Sequence, residues 1–361
     1  MQKILDRTQE SLAHAFASLA QSAKRQQRLY LVTIGSLMLI VVVFALVLAV
    51  LAADKQLDYR RAFAAQNATD ISLLLHREES FLRRAEFTLD FYGETQNVLR
   101  VPENVEQSVL LSGIARGTVE RVTAQFDVLV GDATRKAWGP AFGAKLWRLY
   151  EAAQSTLMTQ QAFELRQRSM LLGLNEDYAA ILPSLAQAQT GAADAPTPPL
   201  QPAVVSTLRE TLEHELETQT GKRVPGKGER LWLGPYLDPL QGVPVISAVA
   251  AHYIGDTPAT LITMSIPVDA LAAYLARPTS EGTLLLLTVD RRVIVSSPPV
   301  DGQTAKRLQD VLAHSSPGAY RYTRDGMILS EPLMPGFGTL VGYISWRALI
   351  AALGWELAAL A

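Results

Sequence analysis

The apolar positions of this chain concentrate first in one run, residues 29–53, which reads LYLVTIGSLMLIVVVFALVLAVLAA and contains no charged side chain. About 20 apolar residues cross the hydrocarbon core of a bilayer, so a run of this length spans it with some tilt. A cleaved signal peptide has an apolar core of roughly 7–15 residues behind a short charged leader, whereas 28 residues precede this run. The pattern therefore predicts an uncleaved transmembrane helix over 29–53.

The charges on the two sides of this run indicate its orientation. Residues 1–28 contain five Lys and Arg against two acids, and three of those cations form the segment KRQQR directly before the run. Cations near a span favour the cytoplasmic side, although Lys55, Arg60 and Arg61 weaken the asymmetry from the opposite flank. We expect residues 1–28 to form a short amphipathic helix in the cytoplasm. The large remainder of the chain then lies on the far side of the membrane.

A second helical pattern follows over residues 54–100. Apolar side chains recur there at intervals of three, four and seven, and no Pro or Gly interrupts the run before Gly93. We expect a long helix that continues from the membrane and that offers a natural seam for a homodimer. Residues 105–170 also carry helical spacing and are predicted to be helical, with an aromatic cluster at Trp138, Phe142, Trp147 and Tyr150.

The pattern changes from helical to strand-like after residue 170. Residues 170–183 predict a hairpin, residues 190–203 with their four prolines predict a loop, and residues 204–220 predict a helix. Seven strand-like runs then alternate with two helices, one after Pro267 and one from Asp301. The runs are residues 246–254, 259–268, 282–290, 292–297, 319–324, 327–333 and 338–345. Because strands and helices mix without a regular βαβ order, the predicted fold class is α+β with antiparallel sheets.

Composition and charge exclude several functions. The formal net charge is −2, which gives no case for binding nucleic acid. Cysteine is absent, which removes disulfides, thiolate catalysis and thiolate metal sites. Residues 221–228, GKRVPGKG, match a phosphate-binding loop only in part, because Gly228 stands where that loop needs Ser or Thr. The histidines form no H-E-x-x-H motif and no nucleophile elbow is present, so we predict no catalytic residue, no metal site and no cofactor.

One segment carries a resemblance to a known family. Residues 232–253, WLGPYLDPLQGVPVISAVAAHY, resemble the W-x-x-PY-x-D-x-x-x-G-x-x-V-I-S signature of double Cache sensor domains, which contain two PAS-like modules. Residues 282–298 are similar to the opening hairpin of the second module, and residues 318–349 to its closing strands. Two departures stand out. The second hairpin has Asp-Arg-Arg at 290–292 instead of an Asp-x-Gly turn, and the Arg-x-Trp-Tyr segment of amino-acid-binding members is missing.

The resemblance implies a domain organisation and a function. Double Cache domains serve as periplasmic ligand-sensing regions of bacterial receptors in the inner membrane. The implied receptor is most like a two-component, possibly hybrid, sensor histidine kinase that is homodimeric and acts on a response regulator through an output domain missing from this chain. The implied organisation is a cytoplasmic helix over 1–28, a transmembrane helix over 29–53, a signalling helix over 54–100, a membrane-distal module over 101–278, a membrane-proximal module over 279–346, and the start of a second transmembrane or exit helix over 347–361.

Two alternatives to a histidine kinase remain open. One is the sensor region of a chemoreceptor or a diguanylate cyclase, since no signalling motif of any of these classes is present in the chain. The other is an envelope scaffold whose external domain binds a protein partner. An anchored hydrolase is disfavoured because the sequence contains no nucleophile constellation.

The candidate site for a small-molecule ligand lies in the segment that carries the resemblance. Trp232, Tyr236 and Asp238 place two aromatic rings beside one carboxylate, which suits a small cationic or polar ligand. Ser247 and Tyr253 belong to one face of the following strand, because alternate residues of a strand point the same way. The competing interpretation is that Tyr236 and Asp238 only shape a turn before that strand.

Overall fold

The computed structural model describes residues 2–95, 99–119, 123–163, 167–185, 200–275, 282–300 and 320–351, together with positions 302, 303, 306, 310 and 354. The chain divides into two compact units. One comprises residues 1–62 and 347–361, and the other comprises residues 63–346. Each unit is described by itself below.

The first unit consists mainly of the N-terminal part of one helix. This helix, α1, extends over Gln2–Glu94 and is the one helix of the described chain that is long and apolar enough to cross a membrane. None of its most apolar 18-residue window is buried, whereas a core helix of a soluble protein would be mostly buried. The predicted helices over 1–28, 29–53 and 54–100 are therefore parts of one element, which ends at Glu94.

The larger unit contains a seven-stranded antiparallel sheet in the order β1-β2-β4-β3-β7-β6-β5. Its strands are β1 (Ile114–Val119), β2 (Ala124–Val130), β3 (Arg168–Gly173), β4 (Tyr178–Leu182), β5 (Arg230–Leu237), β6 (Pro244–Ile254) and β7 (Thr257–Pro267). The helices of this region are α2 (Glu103–Ser112), α3 (Asp132–Trp138), a single 3₁₀ turn (Gly139–Ala141), α4 (Phe142–Ala162) and α5 (Val204–Thr220).

Alternating side chains of the sheet give it two apolar faces. Leu171 packs with residues of α1 and α4 in one buried cluster. Its neighbours Met170 and Leu172 pack with the apolar stripe of α5, which includes Leu212, in a second cluster. Since successive residues of a strand point to opposite faces, the sheet is covered by α1 and α4 on one side and by α5 on the other.

A five-stranded antiparallel sheet follows in the chain, in the order β10-β11-β12-β8-β9. Its strands are β8 (Thr283–Thr288), β9 (Val293–Ser297), β10 (Tyr320–Tyr322), β11 (Gly326–Pro332) and β12 (Gly338–Ser345), and α6 (Val268–Leu275) precedes them. A third buried cluster joins Ile71 and Leu75 of α1 to Leu284 and Leu286 of β8. Helix α1 therefore packs on the cores of both sheets, and the α+β fold with two antiparallel sheets is confirmed.

One prediction was wrong. Residues 105–170 are not continuously helical, because they contain the β1–β2 hairpin and the beginning of β3 between the helices. The hairpin is held by close packing: a Cβ atom at Gly117 would collide with the ring of Phe126 on the paired strand. The hairpin at 170–183, the helix at 204–220 and the seven later strands are confirmed within two to three residues at their ends. Most of the loop at 190–203 and of the helix from Asp301 lies outside the described residues.

Candidate functional site

A cavity of about 660 Å³ lies on the α1 and α4 side of the seven-stranded sheet. Its walls are the last turns of α1, one face of α4, the turn between β3 and β4, and the β6–β7 hairpin. Pockets that bind small molecules have volumes of about 300–1,000 Å³ and combine apolar walls with a few convergent polar groups. The size of this cavity therefore suits one small ligand.

Charged side chains of both signs line the cavity. Asp90 and Glu94 enter from α1, whereas Lys145 and Arg148 enter from α4. The two cations are three residues apart, so one face of α4 presents both. The Nζ atom of Lys145 donates to Oε1 of Glu176 at 2.5 Å, and Nη2 of Arg148 donates weakly to the carbonyl oxygen of Thr95 at 3.5 Å. The cavity can therefore offer a carboxylate to a ligand cation and a guanidinium to a ligand anion.

A contact between His252 and Asp90 connects the sheet to the end of α1. The distance from Nε2 of His252 to Oδ1 of Asp90 is 2.9 Å. His252 is buried whereas the Asp90 side chain is more than half exposed, so the carboxylate remains accessible from the cavity. The second ring nitrogen of His252, Nδ1, has no partner among the described residues. A buried polar atom without a partner is uncommon, and a bound ligand can supply one.

Aromatic rings form a second wall of the cavity. The rings of Trp138 and Tyr178 lie 6.1 Å apart, and the ammonium group of Lys145 lies 5.6 Å from the centroid of Trp138. Tyr178 shares a hydrogen bond of 2.7 Å with the hydroxyl of Thr260, and burial raises the pKa of the Tyr178 phenol to about 12. The phenol is therefore neutral at pH 7. The indole NH of Trp138, a residue only 3% exposed, has no acceptor within the described part of the chain.

Three of the five sequence-predicted site residues are polar groups that are buried away from this cavity, where two of them share a hydrogen-bond network and the third forms an ion pair. The hydroxyl of Tyr236 lies 2.7 Å from Oγ of Ser247, which in turn lies 2.8 Å from Oγ of Ser265. Burial raises the pKa of the Tyr236 phenol to about 12, so this hydroxyl also stays protonated. Asp238 is buried and accepts a hydrogen bond of 2.7 Å from Nη1 of Arg168. The partners of these groups are all within the protein.

The other two predicted residues lie on opposite sides of the sheet. Trp232 is half-buried and packs edge-on against Phe337, with ring centroids 5.1 Å apart. Tyr253 is half-buried, donates to the carbonyl oxygen of Pro225 at 2.8 Å and also lines the cavity. The structure thus places Tyr236, Ser247 and Asp238 on the α5 side, where Tyr253 also packs, and Tyr253 in addition lines the cavity from the end of β6. A role of these five residues in ligand binding stays a prediction.

Sequence reasoning missed most of the cavity residues. Asp90 and Glu94 were assigned to a signalling helix, and Arg148 to a run of helix without a site. The available signal was the segment LDFYGE at 89–94, which places two acids and a tyrosine around Gly93 in the last turns of the long helix. No group of three His, Asp or Glu side chains in the described ranges is placed to hold a metal ion.

No family model and no curated protein matches this sequence. The chain is similar to solved sensory domains of chemoreceptors. The domain of Campylobacter jejuni Tlp3 with isoleucine bound aligns at 12% identity over 84% of this chain and 97% of that domain, with a TM-score of 0.47. The ligand-binding domain of Pseudomonas fluorescens CtaA with L-alanine aligns at 13% identity over 81% and 97%, with a TM-score of 0.40. That of Pseudomonas aeruginosa PctB with L-Arg aligns at 14% identity over 56% and 76%, with a TM-score of 0.38.

Proposed function

We propose that this protein is the periplasmic ligand-sensing region of a bacterial transmembrane receptor, and that a small zwitterionic molecule binds in the cavity. One observation carries the proposal. The helix that contains the apolar run 29–53 also supplies residues 89–94 as a wall of the cavity. A ligand that bridges α1 to α4 or to the β6–β7 hairpin stabilises one position of the helix end. It thereby shifts the population of the receptor towards that state.

The ligand class follows from the charges of the cavity. A zwitterion such as a free amino acid carries an ammonium group and a carboxylate, and the cavity presents Asp90 and Glu94 opposite Arg148 and Lys145. Charge-assisted hydrogen bonds are stronger than neutral ones, and a guanidinium binds a carboxylate through two parallel bonds. The rings of Trp138 and the neighbouring tyrosines supply apolar contact for the rest of the molecule. We include Tyr253 in the site.

The proposed topology follows the charge pattern of the sequence. Residues 1–28, which carry the excess of cations, lie in the cytoplasm, and residues 54 onward lie in the periplasm. The membrane-distal module corresponds to residues 101–278 and contains the cavity. The membrane-proximal module corresponds to residues 279–346 and contains the five-stranded sheet. A homodimer along α1 fits the exposed apolar side chains Leu73, Phe87 and Phe91.

For the output we propose a two-component sensor histidine kinase, of the simple or hybrid type, that acts on a response regulator. The resemblance of residues 232–253 to double Cache domains supports this class, and the same domains also occur in chemoreceptors and diguanylate cyclases. The domain composition encoded by the complete gene decides between them. A phosphoacceptor histidine with an ATP-binding domain supports the kinase, whereas a methyl-accepting helical hairpin or a cyclase domain replaces it with an alternative.

An envelope scaffold remains the second candidate because of one surface feature. Leu110 and Leu111 are neighbours at the C-terminal end of α2, which packs against the edge strand β1, and they are 51% and 86% exposed. Exposed apolar side chains that cluster mark protein interaction surfaces. A scaffold binds its partner there and leaves the cavity without a ligand.

A ligand screen tests the proposed function. The full chain in detergent is heated with pools of L-amino acids, polyamines, organic acids and purines, and the unfolding temperature is recorded. A ligand at a hundredfold excess over its dissociation constant stabilises the protein by about 2.7 kcal/mol, which gives a clear rise. Arg148→Met should abolish the rise, while Arg223→Met, which removes an exposed cation outside the cavity, should preserve it. No rise with any pool, or a rise that survives Arg148→Met, contradicts the proposal.

A further inference from the structure

Glu78 is a fully buried carboxyl group in the middle of α1. Its exposed fraction is 0%, and neither carboxyl oxygen has a hydrogen-bond partner among the described residues. Burying a charged carboxylate without a partner is costly, and such a group is usually neutral. Glu78 plays no part in the cavity, because that cavity begins three helical turns later at Leu89.

The position of Glu78 coincides with a boundary between two cores. On its N-terminal side, Ile71 and Leu75 of α1 pack in the cluster that contains Leu284 and Leu286 of the five-stranded sheet. On its C-terminal side, Leu82 packs in the cluster of the seven-stranded sheet and α4. The carboxyl group therefore lies where α1 passes from one sheet core to the other.

The charged and titratable groups around this stretch of α1 are engaged with other partners or face solvent. Arg77 is exposed, and its positive charge lowers the pKa of the Glu78 carboxyl against the larger, raising effect of burial. Arg230 of β5 pairs with Glu86 at 2.8 Å. Other groups on the packed elements include His252 paired with Asp90, Tyr236 bonded to Ser247, exposed Asp269, and half-buried Tyr274 and Tyr343. Helix α4 adds Tyr150 and Glu151, and burial raises the pKa of both side chains. No ion pair reaches Glu78 from the described part of either sheet.

We infer that Glu78 is a proton-binding site through which external pH controls the packing of α1 across the two sheets. In the protonated state the neutral carboxyl group remains buried between the apolar cores of the two sheets. When the carboxyl group releases its proton to bulk water, the carboxylate must regain hydration, which requires α1 to separate from the sheets at this point. The proton is thus a second input that is independent of the proposed ligand.

The direction of the pH effect follows from proton linkage. Burial raises the pKa of Glu78 from 4.5 to about 8, so the folded protein holds this proton over a pH range in which the unfolded chain has lost it. Stability falls with pH wherever the folded state binds more protons than the unfolded state. The contribution of Glu78 is therefore fully present below about pH 4.5 and is lost as the pH rises towards about 8.

Distances between two spin labels test the inference in the full chain. The protein contains no cysteine, so Ser80→Cys on the exposed side of α1 and Val289→Cys in the β8–β9 turn give one unique pair of labels. Electron–electron distances are measured in lipid nanodiscs between about pH 5 and about pH 9, without any ligand. We expect the distribution to shift with a midpoint near pH 8 and to remain at its low-pH form in Glu78→Gln. In the control Glu79→Gln, which changes the adjacent and partly exposed acid, the distance distribution should shift with pH as it does in the unsubstituted chain.

Thermal unfolding of the same variants gives an independent readout. The unfolding temperature of Glu78→Gln should decline less between about pH 5 and about pH 8 than that of the unsubstituted chain, because glutamine binds no proton. Glu78→Leu provides a second neutral side chain, which controls for any effect of the glutamine amide on the packing of α1 against the two sheets. A pH dependence of distance and unfolding temperature that is the same in Glu78→Gln, Glu78→Leu and the unsubstituted chain overturns the inference. It leaves the ligand proposal untouched, since no ligand is present.

Discussion

His252 in β6 and Asp90 in the last turns of α1 are joined by a contact of 2.9 Å between Nε2 and Oδ1. The two residues are 162 positions apart in the chain, and both line the cavity. The contact ties the β6–β7 hairpin to the end of the helix that carries the apolar run 29–53. We propose that a ligand that competes for Asp90 changes this connection and that occupancy of the cavity thereby reaches α1.

Asp90→Asn is expected to weaken the binding of any ligand that carries an ammonium group. The amide removes the negative charge and leaves the shape of the side chain nearly unchanged, and hydrogen bonds to charged groups contribute about 1.5–3 kcal/mol. Calorimetric titration with L-amino acids should therefore show an affinity at least about tenfold lower. Asp256→Asn is the matched control, because Asp256 is an exposed acid in the β6–β7 turn. Equal losses in both variants would contradict a specific role for Asp90.

The buried pair of Arg168 and Asp238 predicts a large effect on stability. The guanidinium and the carboxylate are about 10% and 5% exposed, so removal of one partner leaves a buried charge without its counterion. Arg168→Met should lower the free energy of unfolding by about 3–5 kcal/mol, and the double variant Arg168→Met/Asp238→Leu should recover part of this loss. Chemical unfolding at pH 7 provides the measurement.

The control for this pair is an exposed ion pair of the same unit. Lys222 contacts Glu229 at 2.6 Å with about half of its side chain exposed, and exposed pairs contribute about 0–1 kcal/mol. Lys222→Met should therefore change the free energy of unfolding by less than about 1 kcal/mol. A loss in Arg168→Met as small as in this control would show that the buried pair is not maintained in solution.

Two tyrosine substitutions separate the buried polar network from the cavity. Tyr236→Phe removes the hydroxyl that contacts Ser247 and should cost about 1 kcal/mol of stability without changing ligand affinity. Tyr253→Phe removes the hydrogen bond that fixes the Tyr253 ring, which lines the cavity, to the carbonyl oxygen of Pro225, and it should change ligand affinity as well. Unfolding curves and titrations of both variants check this. A loss of affinity confined to Tyr236→Phe would indicate that the ligand binds at the sequence-predicted residues around Tyr236 and Asp238 and not in the cavity.

Gly326 is required by the close approach of two strands in the five-stranded sheet. A Cβ atom at this position would collide with the carbonyl oxygen of Ile344 on the paired strand β12. Gly326→Ala should therefore lower the free energy of unfolding by about 1–3 kcal/mol. Gly342→Ala is the control, since its nearest neighbour, Leu284, is at an ordinary contact distance of 3.7 Å. Unfolding by denaturant measures both, and equal stability of the two variants would contradict the strand register.

The elements that sequence reasoning identified are those with a strong local pattern. The apolar run at 29–53, the helix at 204–220 and the late strands each show one period over many residues, which local composition determines. The β1–β2 hairpin was missed because its strands are six and seven residues long and lie between helical segments. The cross-strand packing of Gly117 against Phe126 favours the hairpin, and no helical or strand period in the sequence signals this contact.

The candidate site was harder to predict, because its walls come from distant parts of the chain. The segment 232–253 was recognised by its residues and lies on the β5–β6 hairpin, yet Tyr236 and Asp238 satisfy their polar groups internally. The cavity depends on α1 and α4 packing on the same sheet face, which no local pattern encodes. Tyr253 was predicted to be a site residue and lines the cavity from the end of β6.

Hydrogen–deuterium exchange of the full chain in nanodiscs, with and without L-amino acids at millimolar concentration, tests the central claim most directly. We expect slower exchange in the segments 89–94 and 252–260, which supply residues to the cavity wall, and unchanged exchange in α5, Val204–Thr220, on the opposite face of the sheet. Protection centred on α5 and the Tyr236 network, or no protection while the amino acid stabilises the protein, would contradict a ligand site at the end of α1.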